Sequence, residues 1–296
     1  MGNSCCKQTE VLDTNYELTI HIPQQRYIHE EKLIDVESKK SRSMLKLYDK
    51  INEQQVTCKR MLSHKRRRAK REANILEKFN SDYLPKYTDF YEDEQYCNLL
   101  YKFIPGSDLF FYLFSNPNIE NLNEVKLLIT KMIDCLIELR NYNLCHLDIK
   151  FENYIYDKET DKLTLIDFES AHLFPNTNGL KMLRTYVGTK SYCAPEIWLN
   201  YYHKNSDIWS IGICVWSIMV QQYPFDVGNL SKLSENLEAT IRRKCLFPKG
   251  KHKRIMRHLN FSDDLIDFLT KTLHYTPSKR ISLEEIKNHN WLKLIT

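Results

Sequence analysis

The spacing of apolar positions changes near Gly106, and this change divides the chain into two parts. Before Gly106, short stretches rich in β-branched and aromatic residues predict strands, and these lie at 32–36, 44–48, 55–60, 87–91 and 96–103. One helix is predicted among them at 65–79, where a basic run leads into an apolar stripe of helical spacing. After Gly106, the same helical spacing predicts longer helices, at 124–143, 206–221 and 262–273. The pattern therefore predicts an α+β fold in which a small β-rich lobe precedes a larger helical lobe.

Composition supports a folded, globular chain. Of its 296 residues, 42% are hydrophobic and 27% are charged, which lies within the range of ordinary globular proteins and outside that of disordered ones. The longest mostly apolar stretch, at 208–220, is shorter than the roughly 18 apolar residues that a transmembrane helix needs. We therefore expect no membrane-spanning segment.

Charge and cysteine content narrow the classes of partner. The net charge of +5 is a modest excess, which suits phosphate or lipid partners and does not require nucleic acid, so no nucleic-acid partner is expected. The nine cysteines are odd in number and lack the paired spacing of metal ligands. We therefore expect neither disulfide bonds nor a structural zinc site, and we expect the protein to be located in a reducing compartment.

Four polar residues in predicted loops carry the candidate chemistry. Asp148, Lys150 and Asn153 lie within six positions between two helical stretches, and Asp167 follows an apolar run 19 positions after Asp148. Phosphoryl transfer requires an acceptor for the hydroxyl proton, a cation near the transferred group and oxygen ligands for Mg²⁺. The joint occurrence of these residues predicts that they converge on one site.

These motifs resemble those of a eukaryotic protein kinase catalytic domain of the Ser/Thr type. The run at 194–196 (Ala-Pro-Glu) and the run beginning at Asp207 follow in the order typical of that family. The resemblance covers about residues 26–294, and the run at 223–225 (Tyr-Pro-Phe) is similar to the calcium/calmodulin-dependent group. It implies a bilobal fold with an N-lobe at 26–104, a C-lobe at 105–296, ATP and Mg²⁺ as cofactors, and protein Ser/Thr hydroxyls as substrates.

The resemblance also implies roles for individual residues. Asp148 would be the catalytic base, and Lys150 would contact the transferred phosphoryl group. Asn153 and Asp167 would be the Mg²⁺ ligands. The remaining implied nucleotide contacts are a phosphate-binding Lys59 paired with Glu72, and backbone groups of Lys102 and Ile104 beside the adenine, next to a bulky gatekeeper, Tyr101.

Further residues are expected near the substrate. Glu152 and Asp108 are expected to bind a substrate arginine two or three positions upstream of the phosphorylated residue, because their charge is complementary to it. For Asp108 the alternatives are a contact with the ribose of the nucleotide and a role as a helix N-cap. Thr189 is expected to form a hydrogen bond near Asp148. Thr185 stands where an activating phosphate commonly sits, the alternative being an ordinary exposed threonine.

Glu196 and Arg280 resemble a buried ion pair of the family that has a structural role.

Three departures from the family pattern bear on activity. The stretch at 33–41 contains no glycine to let backbone N–H groups approach the phosphates, although Lys39 and Lys40 offer charge there. Glu169 replaces the glycine after Asp167 and Phe168, where it would bind metal or repel phosphate. Leu147 replaces the arginine before Asp148, so a phosphate on the activation loop would lack its usual positively charged partner. The alternative function is therefore a pseudokinase scaffold that binds nucleotide weakly or not at all. A third possible function is a structural adaptor that acts through its lipid anchor alone.

The first 25 residues resemble a lipid-anchor segment. Gly2 matches an N-myristoylation site, and Cys5 and Cys6 are candidates for palmitoylation, which would supply the second signal that stable anchoring requires. A polar tail with incidental cysteines is the alternative. The basic cluster at 65–71 admits three interpretations: a solvated helix face, a contact with anionic lipid, or a nuclear import signal. We expect a location at the cytoplasmic face of a membrane, with cytoplasm or nucleus as the alternative.

Overall fold

A five-stranded antiparallel sheet forms the N-terminal part of the computed structural model, which describes residues 26–34, 42–115, 121–174, 179–227 and 236–294. The strands are β1 (Tyr27–Ile34), β2 (Arg42–Asp49), β3 (Gln54–Leu62), β4 (Tyr87–Glu92) and β5 (Tyr96–Lys102), in the spatial order β1-β2-β3-β5-β4. Strand β3 is central, and six consecutive residues of it are buried because both faces of the sheet are covered. Leu47, Val56 and Leu100 pack on one face, while Met61 and Leu99 join the main core on the other.

Helix α1 (Arg66–Leu76) covers the second face of this sheet. Its alanines Ala69 and Ala73 and its last residue Leu76 are buried, while the basic residues between them point outward. The helix is shorter than the predicted 65–79, since residues 77–79 turn back with hydrogen bonds to carbonyls at 73–76. The first strand begins five residues before the predicted start at Lys32, because the ring of Tyr27 is buried and its Cα pairs with Asp49.

Helices dominate the chain after Gly106. They are α2 (Leu109–Ser115), α3 (Leu122–Asn141), α4 (Pro195–Trp198), α5 (Ser206–Val220), α6 (Leu237–Cys245), α7 (Gly250–His258), α8 (Asp263–Thr272) and α9 (Leu283–Lys287). Helix α5 contains the apolar stretch at 208–220 and is buried from Ser206 to Trp216, so it is the centre of the helical core. Within the described ranges, no helix is both long and apolar enough to cross a membrane. The predicted α+β class is confirmed.

Short strands position the loops between the two parts. They are β6 (Ser107–Asp108), β7 (Leu144–Cys145), β8 (Tyr154–Asp157), β9 (Lys162–Leu165), β10 (His172–Leu173), β11 (Lys181–Met182) and β12 (Tyr201–Tyr202). Strands β8 and β9 pair with each other, and β7 pairs with β10. These pairings bring the loop at 146–153 against the loop at 166–171, where the Ile166 N–H donates to the Asn153 carbonyl at 2.8 Å.

A buried ion pair fastens α4 to the segment before α9. The Arg280 guanidinium lies 2.6 and 2.7 Å from the two carboxylate oxygens of Glu196, and both side chains are buried. The Ser206 hydroxyl also donates to Glu196, at 2.7 Å. The ion pair expected from the sequence is therefore present, and it joins three helical segments.

Candidate active site

Lys59, in the middle of β3, is held between two carboxylates. Its Nζ lies 2.9 and 2.8 Å from the Glu72 oxygens and 2.6 Å from Asp167 Oδ1. Lys59 is 3% exposed and Glu72 is 2% exposed. Burial by itself lowers the pKa of Lys59, but the nearby carboxylates of Asp167 and Glu72 outweigh burial, so its pKa is raised. The ammonium group therefore stays charged in a site shielded from water.

The turn after β9 places Asp167 against Lys59. Asp167 adopts the left-handed conformation, with φ 66° and ψ 74°, an unusual backbone state for a residue other than glycine. The Phe168 N–H donates to Glu72 Oε1 at 3.1 Å, and the Phe168 ring packs edge-on to Phe79 and His146 at about 5 Å. The strained turn is thus held by both its backbone and its buried ring.

A buried carboxylate supports the loop that carries Asp148. Asp207, near the start of α5, accepts hydrogen bonds from the N–H groups of His146 and Leu147, both at 2.8 Å. The His146 ring contacts the Asp148 N–H through Nδ1 at 3.3 Å and the Ile166 carbonyl through Nε2 at 3.0 Å. Since Nδ1 accepts, Nε2 carries the proton and donates. Burial raises the pKa of Asp207.

The structure brings the predicted catalytic residues together around the Asp148 carboxylate. Oδ1 accepts the Thr189 N–H at 2.7 Å, and Oδ2 lies 3.2 Å from Asn153 Nδ2 and 3.9 Å from Lys150 Nζ. The Lys150 ammonium donates in turn to the Thr189 hydroxyl at 3.1 Å. The carboxylate is therefore fixed in orientation by donors from two segments of the chain.

A close backbone contact joins the same two segments. Gly188 has φ +82°, and a Cβ there would lie 2.3 Å from the Leu147 carbonyl oxygen and 3.0 Å from Cys193 Sγ. Leu147 is itself buried in a left-handed conformation with φ 64°. Only glycine allows the segment before Thr189 to approach the Asp148 loop this closely.

The residues expected beside the nucleotide fit an adenine. At the end of β5, the Lys102 N–H donates to the Lys86 carbonyl at 2.8 Å, while the Ile104 N–H has no hydrogen-bond partner in the described part of the chain. The Tyr101 side chain behind them is buried. Asp108 Oδ1 accepts the Phe111 N–H at 2.8 Å, so the helix-cap alternative for Asp108 is present.

Asn153 and Asp167 fit a divalent cation. Asn153 is buried, and its Nδ2 donates to the Asp148 carbonyl at 2.7 Å, which turns its amide oxygen away from that loop. That oxygen accepts no hydrogen bond from any described residue. Asp167 adds carboxylate oxygens beside it, and hard cations such as Mg²⁺ take oxygen ligands of these kinds.

Comparison with known proteins decides the family. The protein kinase domain model matches residues 40–292. The chain belongs to the protein kinase domain family. It is 28% identical over 228 residues to a probable serine/threonine-protein kinase of Dictyostelium discoideum, covering 76% of this chain and 25% of that one. It is 27% identical over 232 residues to calcium-dependent protein kinase 5 of Plasmodium falciparum, covering 78% and 39%.

A third relative is a probable serine/threonine-protein kinase of Saccharomyces cerevisiae, 29% identical over 211 residues, which cover 69% of this chain and 12% of that one. The chain thus spans between about an eighth and two fifths of the length of these three relatives. The resemblance to Ser/Thr protein kinase domains that the sequence predicts is confirmed.

Glu169, a departure from the family pattern, contacts α1 of this kinase domain. Its Oε1 lies 3.2 Å from Arg68, and Glu169 is not among the described residues with positive φ. Glycine is therefore not required at this position. Residues 35–41, which include Lys39 and Lys40, lie outside the described residues, as do Gly2, Cys5 and Cys6.

The basic cluster at 65–71 is largely engaged within the kinase domain. Arg66 and Lys70 pair with Glu92 at 3.0 Å, and Arg68 pairs with Glu169. Arg71 donates to the Ala171 carbonyl. These contacts favour a structural role for four of its cations.

Thr185 and Glu152 are both exposed. Thr185 lines a cavity of about 970 Å³ between α1 and the segment at 181–188, together with Arg71, Lys181 and Arg184. None of these three cations pairs with a carboxylate among the described residues. Glu152 likewise has no hydrogen bond or ion pair within the described ranges.

Two residues have contacts at the site that were not predicted from the sequence, and these are Asp207 and Arg68. Asp207 belongs to one of the motifs on which the family resemblance rests, so its place in that motif could have predicted that it supports the loop carrying Asp148. Arg68 offered no signal of its partner, because Glu169 is 101 positions away.

Proposed function

We propose that this kinase domain is an active Ser/Thr protein kinase that transfers the γ-phosphate of ATP to protein hydroxyls. The observation that carries the proposal is the meeting of two sets of residues. Asp148, Lys150 and Asn153 form one set, and Lys59, Glu72 and Asp167 form the other. The hydrogen bond from the Ile166 N–H to the Asn153 carbonyl, at 2.8 Å, joins the two loops that carry them. A chain that no longer catalyses transfer has no chemical need for a fixed, partly solvent-accessible carboxylate at this place.

The residues divide the chemistry among them. ATP supplies the transferable phosphoryl group when bound, and Mg²⁺ neutralises charge on its phosphates. Asp148 is oriented by Thr189 and Asn153 to accept the proton of a substrate hydroxyl. Lys150 holds positive charge 3.9 Å from that carboxylate, from where it would attract the negatively charged oxygens of the transferred phosphoryl group.

Nucleotide binding falls to a second group of residues. Glu72 orients Lys59 to donate to phosphate oxygens, and the Ile104 N–H is available to the adenine edge. Asn153 and Asp167 would hold the cation. This division predicts that Lys59 variants change the use of ATP, while Asp148 variants change transfer alone.

Asp148→Asn tests the proposal because it removes the proton acceptor and retains the shape. Loss of a general base typically lowers the rate by about 10² to 10⁴. We expect that loss in kcat for a Ser/Thr peptide, with ATP affinity measured by calorimetry kept within about two-fold. Equal transfer by variant and wild type would refute the role of Asp148.

The alternative functions have distinct outcomes in the same assays. Binding of ATP and Mg²⁺ without transfer by the wild-type chain would indicate a pseudokinase scaffold. Neither binding nor transfer would indicate an adaptor, whose activity would depend on its anchor alone.

We also propose that the chain is tethered to the cytoplasmic face of a membrane through lipids on Gly2, Cys5 and Cys6. One acyl chain binds membranes only marginally, at about 10⁴ M⁻¹, so the cysteines would supply the second signal. Gly2→Ala should move the protein to the soluble fraction, and Cys5→Ser with Cys6→Ser should do so partly. If Gly2→Ala stays wholly membrane-bound, the anchor lies elsewhere, and a nuclear or cytoplasmic signal in a tagged wild type would contradict tethering.

The proposed substrate preference is an arginine two or three residues upstream of the phosphorylated Ser or Thr. Glu152 supports this preference, because it is exposed beside Lys150 and has no partner among the described residues. Asp108 already caps the start of α2, so it supports a substrate role less. Charge-assisted hydrogen bonds would supply the selectivity.

Phosphorylation of Thr185 is a further proposal about regulation. Leu147 removes the usual arginine partner, but Arg71, Lys181 and Arg184 line the cavity at Thr185 and would attract a phosphate. Mass spectrometry of the protein incubated with ATP, followed by assay of Thr185→Ala, tests this role. Unchanged activity of a stoichiometrically phosphorylated sample would contradict it.

A further inference from the structure

Two charged residues flank the buried cluster of Lys59, Glu72 and Asp167. Arg68 lies one helical turn before Glu72 on α1, and Glu169 lies two residues after Asp167. Their side chains meet at 3.2 Å between the Arg68 guanidinium and Glu169 Oε1. The pair therefore bridges α1 and the loop that carries Asp167, next to the point where Glu72 and Asp167 both contact Lys59.

We propose that Arg68 and Glu169 are a positioning pair that holds α1 against this loop and so keeps Glu72 in contact with Lys59. The proposal rests on the proposed function, since it concerns how the phosphate-binding lysine is oriented. It also explains the glutamate that stands at position 169 in place of the family's glycine, because this carboxylate binds Arg68 on α1 and does not serve as a metal ligand.

Neighbouring contacts support this role. One turn beyond Arg68, the Arg71 guanidinium donates to the Ala171 carbonyl and lies 3.0 Å from His172 Nδ1. The Phe168 N–H donates to Glu72 from the same loop. Residues 168–172 thus contact α1 at three successive places, and the pair of Arg68 and Glu169 is the only one of these that involves two opposite charges.

The charge of Arg68 offsets part of the negative charge gathered around Lys59. Burial and the neighbouring carboxylates of Asp167 and Glu169 raise the pKa of Glu72, while Lys59 opposes them. A third carboxylate beside Glu72 and Asp167 is unfavourable unless it is compensated, because like charges in a poorly hydrated site repel strongly. The Arg68 guanidinium contributes to this compensation at Glu169 Oε1, which leaves less of the carboxylate for a metal.

The expected effect is moderate, because Arg68 is 60% exposed and Glu169 is 19% exposed. Exposed ion pairs shift equilibria by about two- to five-fold and are screened by salt. Neutralising either residue should therefore raise KM for ATP or lower kcat by about that factor, with little change in thermal stability. The difference from wild type should shrink as the salt concentration rises.

Charge reversal gives the sharpest test. Arg68→Glu and Glu169→Arg each place like charges together, and we expect each to lower kcat/KM for ATP by more than five-fold. The double variant restores opposite charges and should recover most of that loss. Arg254→Glu on α7 is the control, because Arg254 is likewise an exposed arginine with no carboxylate partner among the described residues, and its activity should stay near wild type.

Hydrogen exchange provides a readout that does not depend on catalysis. In nucleotide-free protein, amides of α1 should exchange faster in both single reversals and return toward wild type in the double variant. If this pattern appears while no variant transfers phosphate, the proposed function fails and the positioning role stands. If transfer occurs but the double variant recovers neither activity nor protection, the positioning role is wrong.

A magnesium titration separates positioning from metal binding. A metal ligand at Glu169 would make Glu169→Gln raise the Mg²⁺ concentration needed for half-maximal activity, with Arg68→Gln having no effect. The positioning role predicts matching losses in both neutral variants and an unchanged Mg²⁺ requirement. The first pattern would overturn the proposal.

Discussion

Replacing Lys59 with methionine should destabilise the kinase domain as well as impair its use of ATP. The substitution keeps the length of the side chain but removes the cation that lies 2.6–2.9 Å from three carboxylate oxygens. Breaking a buried ion pair by removing one partner costs about 3–5 kcal/mol, because the other charge stays buried without compensation. Asp167 is 17% exposed and regains some hydration, so we expect a loss near the lower end, about 3 kcal/mol.

Urea unfolding measures this loss. With a denaturant slope near the upper end of the usual range, about 3 kcal/mol per molar, the midpoint should fall by about 1 M. The double variant Lys59→Met, Glu72→Met removes both charges and should regain much of the stability, although it should stay inactive. A single variant as stable as wild type would refute the reasoning, as would a double variant less stable than the single one.

The pH dependence of Lys59→Met gives an independent check. Without Lys59, burial and Asp167 raise the pKa of Glu72 further, because the largest opposing charge is gone. The folded state then holds the Glu72 proton more tightly than the unfolded chain does, so stability is lost as pH rises above the ordinary pKa of glutamate. The deficit should grow from about pH 5 to pH 8 and should be absent from the double variant.

Gly188→Ala should cost about 1–3 kcal/mol of strain, because its Cβ would meet the Leu147 carbonyl at 2.3 Å with φ at +82°. Kinetics should show a lower kcat, whereas Gly179→Ala, which has nothing within 4 Å of the new Cβ, should match wild type. Equal kcat values for the two would contradict the contact. Glu152→Gln should reduce the enrichment of upstream arginine in a positional peptide library, and an unchanged profile would remove Glu152 from substrate recognition.

Much of the fold was predictable because its signals are local. The alternating and helical spacings placed four strands and the long helices within two or three residues of their observed bounds. The first strand begins five residues before its predicted start, because the buried ring of Tyr27 extends it. The helix predicted at 65–79 ends at Leu76, for example, because the chain turns back there with hydrogen bonds that no periodicity describes.

The site was predictable in its residues but not in its backbone. Motif spacing singled out Asp148 and Asp167, and the family resemblance added Lys59 and Glu72. The structure places Lys59 against both Glu72 and Asp167. The left-handed turns at Asp167 and Leu147 depend on contacts from Glu72 and Gly188, which are distant in sequence. The contact between Arg68 and Glu169 joins a helix to a loop 101 positions later, so it becomes visible only when the two elements pack.

Transfer of radiolabelled phosphate by the purified chain tests the central claim most directly. The wild-type protein would be incubated with γ-labelled ATP and a pool of Ser- and Thr-containing peptides, with Mg²⁺ or with a chelator, beside Asp148→Asn as the matched control. We predict label on serine or threonine only in the wild-type sample with Mg²⁺. Label on neither residue, in protein that binds ATP and Mg²⁺, would contradict the claim and leave a pseudokinase scaffold.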